Sequence, residues 1–600
     1  MEIKAKKRSE IAAEFKWNLE TMFKTQDEWR ADVDSLPAEY EAISAFQGKL
    51  TTGETLLSCL NKVGEVGETV SRVYVYANLK MHEDANISES RGMADTAQNM
   101  YTKFYAAIAF LTPEILAIDE AELAALVANT PGLDLYKQEL DDIQRKKAHT
   151  LSAEIEEIMA NAMDVGSASS NIYDMLTNTD LKFGNVTDED GNTVEVTQGR
   201  AYSLLESHNR QVRKDTFETL CDSYWKLKNA FATMYSSSVK TDIFDAKTRK
   251  YKSSLDAALA HYNIPRAVYE QLIEAVNEYL PVLHRYVALR KNVLGVESLH
   301  MYDRLVPLVD QVDTTMTYEE AKEKLMEGLK PLGAEYLSEM ESGMNGGWID
   351  VYENEGKQSG AYSWGAPGKG GHPYVLLNYE NRMNDMFTLA HEMGHAMHSY
   401  YSWKTQPRPY TGYSIFLAEV ASTVNETIIM DHMLKTTTDP KVRTYLLDEY
   451  IGQFHGTIFR QTMFAEFELI THTMAENGEP LTLDVLNKTF RELNIKYFGP
   501  AMDVDELSDI AWAQIPHFYR AFYVYQYATG YAAAVAFNQR LQTGDAKALE
   551  DYLGFLKAGS HDYSIEILKK AGVDMSTPTP VREALKVFEE LVTELEKELA

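Results

Sequence analysis

Residues 385–402 read DMFTLAHEMGHAMHSYYS, and after a loop rich in Pro and Gly the chain continues as SIFLAEVASTVNE over 414–426. Apolar residues recur at helical spacing in both stretches, which predicts two consecutive helices, the first capped near Asn384 and the second starting at Ser414. On the first, His391 and His395 fall one turn apart on one face, about 6 Å along the axis, where two imidazoles can chelate one ion. Glu392 sits beside them, within reach of a metal-activated water without being a ligand. Two structural histidines on a packed helix would give the same five residues. The small Gly394 and Ala396, which let another element approach, favour a site.

A catalytic zinc usually takes three protein ligands. His398 shares the face but lies about 10 Å along the helix from His391, too far to join the same ion. A helical hairpin would instead return Glu419 of the second helix to the metal. Glu426, two turns further along, would then lie where a carboxylate can hydrogen-bond a ligating imidazole. The expected cofactor is one Zn2+ per chain, held by His391, His395 and Glu419.

Outward from this core, most of the 600 residues read as amphipathic helix, for example over 153–163, 266–293 and 580–599. Two regions break the pattern. KFGNVTDEDGNTVEVT at 182–197 alternates about an Asp190-Gly191-Asn192 turn and predicts a β-hairpin. Within 346–379, WIDVYE, GAYSWG and PYVLLNY are three short strand candidates separated by glycine-rich joints. A chain this long needs more than one lobe. The hairpin suggests an N-terminal helical lobe over 1–198 and a catalytic domain over 199–600. GAPGKGG at 365–371 is not a phosphate loop: Gly370 stands where a magnesium-binding Ser or Thr is required.

Composition removes whole classes of function. Acidic residues outnumber basic ones 90 to 58, a formal charge of -32, which repels nucleic-acid backbones. No run of about 20 apolar residues suggests a membrane span, and the start of the sequence lacks a secretory pattern. Cys59 and Cys221 are the only cysteines, too few for a disulfide framework or a thiolate metal site. The expectation is a cytoplasmic protein with no obligate protein partner.

HEMGHAMHSYYS with YSIFLAEVASTVNE resembles oligoendopeptidase F of the thimet oligopeptidase family of zinc metallopeptidases. The likeness extends to WNLETMF at 17–23, MYDRL at 301–305, GGWIDVYENEGKQSGAYSWG from 346, FRQTMFAEFE from 459 and IPHFYRAFYVYQYATG from 515. The resemblance implies a mainly α, two-lobed helical shell around a deep channel that admits short unstructured peptides. It implies hydrolysis of internal peptide bonds, and it agrees with Glu419 as third ligand. The expected mechanism has Glu392 as general base towards metal-activated water.

Such a reaction needs hydrogen-bond donors for the oxyanion. Tyr523, Tyr527 and Tyr531 are spaced four apart and would line one helical face; a core aromatic stripe reads the same. The resemblance assigns catalytic roles to His517 and following tyrosines. Tyr523 is the natural partner of His517, and the second tyrosine is Tyr527 or Tyr531. The strand around Tyr374, Val375 and Leu376 is either an exposed edge that pairs with substrate backbone or an ordinary sheet strand. The readings that compete are a metallocarboxypeptidase or dipeptidyl carboxypeptidase with the same zinc motif, and a non-catalytic peptide-binding protein.

Overall fold

The computed structural model describes residues 5–309 and 314–600. The fold is mainly α-helical, with seven short strands among the described residues. β1 (Asn185–Thr187) and β2 (Thr193–Glu195) form the expected antiparallel hairpin, turning through Gly191 at φ +82°. β3 (Leu299–His300) pairs in parallel with β7 (Met502–Asp503). β4 (Ile349–Asp350), β5 (Tyr362–Gly365) and β6 (Pro373–Leu376) form a three-stranded sheet in the order β4-β6-β5. The 266–293 stretch is two helices, Arg266–Glu278 and Leu280–Val293, because Pro281 starts a new one. No described helix is long and apolar enough to cross a membrane.

Packing divides the chain differently from a single cut at residue 198. One compact unit comprises Met1–Ala148, Thr314–Ile429 and Phe537–Gly572, the other His149–Asp313, Met430–Ala536 and Val573–Ala600. The hairpin lies inside the second unit instead of marking a boundary. Periodicity shows that a helix has a face to bury; it does not show which distant segment will cover it.

In the first unit, helices Gln26–Ser44, Gly53–Glu83 and Ser88–Ile108 pack together, and their aromatic core (Trp17, Trp29, Tyr76) continues into Tyr374 and Leu376 of β6. The N-terminal segment is stitched to the sheet region: Asn18 donates to the Gly347 carbonyl and Val351 to that of Phe15. Beneath lies Asp350, its carboxylate shared by Arg8 at 2.5 Å and the fully buried Lys357 at 2.8 Å. Lys357 also donates to the carbonyls of Tyr352 and Leu377, so the buried ammonium is hydrogen-bonded on several sides. The glycine turn at 365–371 is tightly packed: a Cβ on Gly370 would lie 2.0 Å from the Thr21 carbonyl oxygen.

The second unit is a helical assembly closed by Thr579–Glu598 against Pro440–Phe454. Two buried ion pairs lie within it, Arg213 with Asp303 at 2.7 Å and Arg290 with Asp448 at 3.4 Å.

Candidate metal centre

The motif helix spans Met383–Thr405, slightly earlier than Asn384 suggested. Asp385 organises its start by accepting from the backbone N–H groups of Glu380 and Arg382. Met386, Leu389, Ala390, Met393, Ala396 and Met397 are all fully buried, and they point around most of the helix, so it sits in a core rather than on a surface. The second helix, Ile415–Thr436, packs against it at Gly394, where a Cβ would meet the Ser422 Cα at 2.5 Å. That glycine is required by the close approach. Asn425 fastens the pair by donating to the Ala390 carbonyl, while Tyr336 donates to Asn425.

This packing brings three ligand atoms together. His391 Nε2 and His395 Nε2 are 3.1 Å apart, and Glu419 Oε2 lies 3.5 Å from the first and 3.6 Å from the second. Metal bonds of about 2.0–2.2 Å in tetrahedral array place donors roughly 3.3–3.5 Å apart, so the triangle fits a zinc ion. It is the one such cluster among the described residues. Glu426 Oε1 lies 2.5 Å from His391 Nδ1, which fixes that nitrogen as the donor and leaves Nε2 free to ligate. His398 is elsewhere, fully buried, stacked on Tyr413 at 3.7 Å and packed against Phe555.

The charges are strongly perturbed. Burial raises the Glu392 carboxyl, opposed by His391 and reinforced by Glu419 and Glu426, to about 7. Burial alone would lower His391, but the Glu426 hydrogen bond and the surrounding carboxylates hold it at about 9. Burial and the charge of His391 push His395 down to about 3. Three carboxylates around two imidazoles make a setting that calls for a cation. One buried oxygen of Glu392 has no hydrogen-bond partner among the described residues.

In the second unit, His517 lies on the short 3-10 turn Pro516–Tyr519. Its ring is parallel to that of Tyr523 with centroids 6.1 Å apart, and edge-on to Tyr527 at 5.9 Å; the two tyrosines are 5.5 Å apart. Tyr531 points elsewhere, buried against Phe454 at 5.0 Å with its hydroxyl 3.4 Å from Gln453. The expected single helical face is corrected here. The helix begins only at Tyr525, and Phe522 before it has φ +58°, so Tyr523 stands outside the helix.

Comparison with known proteins bears on both regions. The sequence profile of Peptidase family M3 matches residues 203–587, and that of Oligopeptidase F matches 114–183. The chain belongs to peptidase family M3. Position 198 falls between these two matches. Oligopeptidase PepF of Bacillus subtilis (strain 168) is 44% identical over 591 residues, 98% of this chain and 88% of its own length. Group B oligopeptidase PepB of Streptococcus agalactiae is 38% identical over 99% of this chain and 98% of its own. The crystal structure of oligoendopeptidase-F from Enterococcus faecium superposes with a TM-score of 0.74 at 36% identity, covering 95% of this chain and 99% of that one. A Chlamydophila abortus structure described as a peptidase reaches 0.92 at 35% identity, covering 99% and 100%. This M3 chain is therefore an enzyme, a peptidase of the oligoendopeptidase F kind.

One sequence expectation for the M3 chain fails. Tyr374, Val375 and Leu376 are fully buried, and their strand β6 is the middle of the sheet, paired on one side with β4 and on the other with β5. With both ladders occupied, it has no free edge for substrate. Apolar residues at every position of PYVLL mark a strand buried on both faces, but they do not say whether its edges are paired. Two contributors were not foreseen. The backbone of Ser363, on the edge strand β5, acts on Glu392 and opposes the rise of its carboxyl. Glu468, fully buried at the end of FRQTMFAEFE, accepts from the Phe522 N–H at 2.8 Å. An acidic residue inside an apolar helical run was the available signal for the latter.

Proposed function

We propose that the chain is a zinc-dependent oligoendopeptidase that hydrolyses internal bonds of short, unstructured peptides. The convergence of His391 Nε2, His395 Nε2 and Glu419 Oε2 within 3.1–3.6 Å carries this reading. Those three residues would hold one zinc ion. When bound, zinc supplies Lewis acidity that activates water and draws charge from the scissile carbonyl.

Glu392 does the proton work. Its carboxylate, beside the ligands and largely buried, would accept a proton from the attacking water and return it to the leaving amine. Glu426 keeps the His391 ring oriented through Nδ1. His517, Tyr523 and Tyr527 would supply donors to the developing oxyanion. Tyr531 has no part in this reading, because its ring packs on Phe454. Strand β5 takes the substrate-pairing role expected of β6: it lies at a sheet edge and its Ser363 already touches Glu392. A cytoplasmic setting agrees with two buried, unpaired cysteines.

The test uses a fluorogenic peptide blocked at both ends, which only an endopeptidase cuts internally. The wild type should turn it over, and Glu392→Gln should reduce kcat about 1000-fold while bound zinc stays near one per chain. Full turnover by Glu392→Gln would overturn the mechanism. Cleavage confined to peptides with a free C-terminus would shift the reading to a carboxypeptidase.

A further inference from the structure

The second unit contains a cavity of about 90 Å³ lined by two arginines, Arg304 and Arg460. A single water needs on the order of 10–15 Å³ on this measure, so there is room for a group of several heavy atoms. The walls are mixed, with Phe217 and Phe490 beside Asn494 and Gln514. Neither arginine forms an ion pair with a described residue. Arg304 makes no side-chain hydrogen bond among them, and Arg460 bonds only the Tyr202 hydroxyl while its guanidinium lies 5.2 Å over the Phe464 ring.

Three carboxylates of this unit are already occupied by other partners. Asp303, adjacent to Arg304, takes Arg210 and Arg213. Asp448 takes Arg290 and the Tyr286 hydroxyl, and Asp505 takes His300 and the Met301 N–H. In a chain of formal charge -32, this cavity thus keeps two cations that no acid among the described residues pairs. Burial, and then the charge of Arg460, push Arg304 down to about 9, and no carboxylate opposes them. A guanidinium does not shed its proton in proteins, so what such a site lacks is an anion.

The cavity also has an address. Gln514 and Ile515 form part of its wall, and the chain passes from them into the turn that carries His517. The charge of Arg460 reaches that imidazole, which burial, Arg520 and Arg460 together lower. An anion held here would belong to whatever molecule lies along the His517–Tyr523–Tyr527 cluster.

We propose that Arg304 and Arg460 form a subsite for a carboxylate of the bound peptide, either its C-terminus or an Asp or Glu side chain. Two guanidinium forks match a carboxylate through paired N–H donors, and the aromatic walls accommodate the aliphatic stem that carries it. The assignment of a peptide as occupant rests on the peptidase reading of the His517 segment. The site would make the enzyme discriminate by charge at one position despite tolerating many sequences.

The experiment measures kcat/KM of the zinc-loaded enzyme on matched quenched peptides. One set differs only in a free or amidated C-terminus; a second, amidated throughout, exchanges Glu for Gln at successive positions. One set should show a preference of about ten-fold or more for the carboxylate form, and which set does so identifies the source. In Arg304→Met and Arg460→Met the ratio should fall towards one, with Arg304→Lys keeping more of it than Arg304→Met. Ratios of one throughout in the wild type, or a preference that survives both Met variants, would overturn the subsite. Arg304→Met should melt no lower than wild type, since it removes an unpaired buried charge; a markedly lower melting temperature would mean that the guanidinium has a structural partner and would also count against the subsite. His517→Ala and Tyr523→Phe are the separate control. Full turnover by both would remove the catalytic role of that segment, while the carboxylate ratio still reports on the cavity.

Discussion

The candidate metal cluster of the first unit and the aromatic cluster of the second are built by opposite means. His391, His395, Glu419 and Glu426 stand on two regular helices, so their relations follow from helical period and one close packing contact at Gly394. His517, Tyr523 and Tyr527 stand on a 3-10 turn, a linker and the start of a helix, and the linker is held by the buried carboxyl of Glu468, 54 positions earlier in the chain. The difference teaches that a site made of periodic elements is specified locally, whereas one made of irregular backbone needs a dedicated side chain to hold its shape. Phe522 at φ +58° costs about 1–3 kcal/mol that Glu468 and the surrounding core must offset.

The sharpest way to break this contrast is to remove ligands from the helical site. Glu419→Ala should lose zinc and, with it, activity by about 1000-fold or more, whereas His398→Ala should retain zinc and lose only stability, about 2–4 kcal/mol for the cavity it leaves. Metal analysis alongside thermal melting separates the two, and a zinc-free His398→Ala would contradict the geometry. Glu426→Ala, which leaves all three ligands but frees His391 Nδ1, should weaken zinc binding by about 10- to 100-fold in a chelator competition.

Gly394→Ala probes the helix contact itself. Its Cβ would fall 2.5 Å from the Ser422 Cα and 2.7 Å from the Ala421 carbonyl oxygen, and backbone cannot swing aside as a long side chain can. A loss of about 1–3 kcal/mol is expected, with weaker zinc binding because Glu419 sits on the displaced helix. Unchanged melting and unchanged zinc affinity would show that the two helices are not held at this point.

Glu468 gives the smallest effect and a pH signature. Burial raises its carboxyl well above the usual range, so the folded chain keeps it protonated, while the unfolded chain ionises it near 4.3 or so. Unfolding then releases a proton, and the contribution of this group to stability falls as pH rises above about 4.3. Glu468→Gln keeps an acceptor for Phe522 and cannot ionise, so its melting temperature should gain on wild type between about pH 5 and pH 8. A difference that is flat with pH would mean that the carboxyl is not buried as described.

This contrast also explains what could be read from the sequence. Spacing alone leads to the His391–Glu419 triangle and to Glu426, because helices convert sequence distance into direction. The hairpin and the three strands were likewise legible from glycines and alternation. Strand order was not: whether PYVLL is edge or centre depends on where WIDVYE returns, and nothing within the strand says so. The four-residue spacing of the tyrosines misleads about a shared face for a related reason. Four-residue spacing implies a shared face only inside a helix, and a left-handed Phe522 cannot be inferred from a residue that normally avoids it. The division into units escaped for the same cause, since it is set by which remote segments cover which faces.

That interleaving has a consequence for how the protein is made. A ribosome delivers the chain from one end, yet the first unit is finished only by Phe537–Gly572 and the second only by Val573–Ala600. Phe555 belongs to the core beneath the motif helix, where it packs on His398. A nascent chain halted at residue 536 would carry every proposed ligand and every proposed proton donor with their supporting cores incomplete. Apolar faces of both units would then stay exposed until residues 537–600 have emerged, the condition under which a growing chain is prone to aggregate.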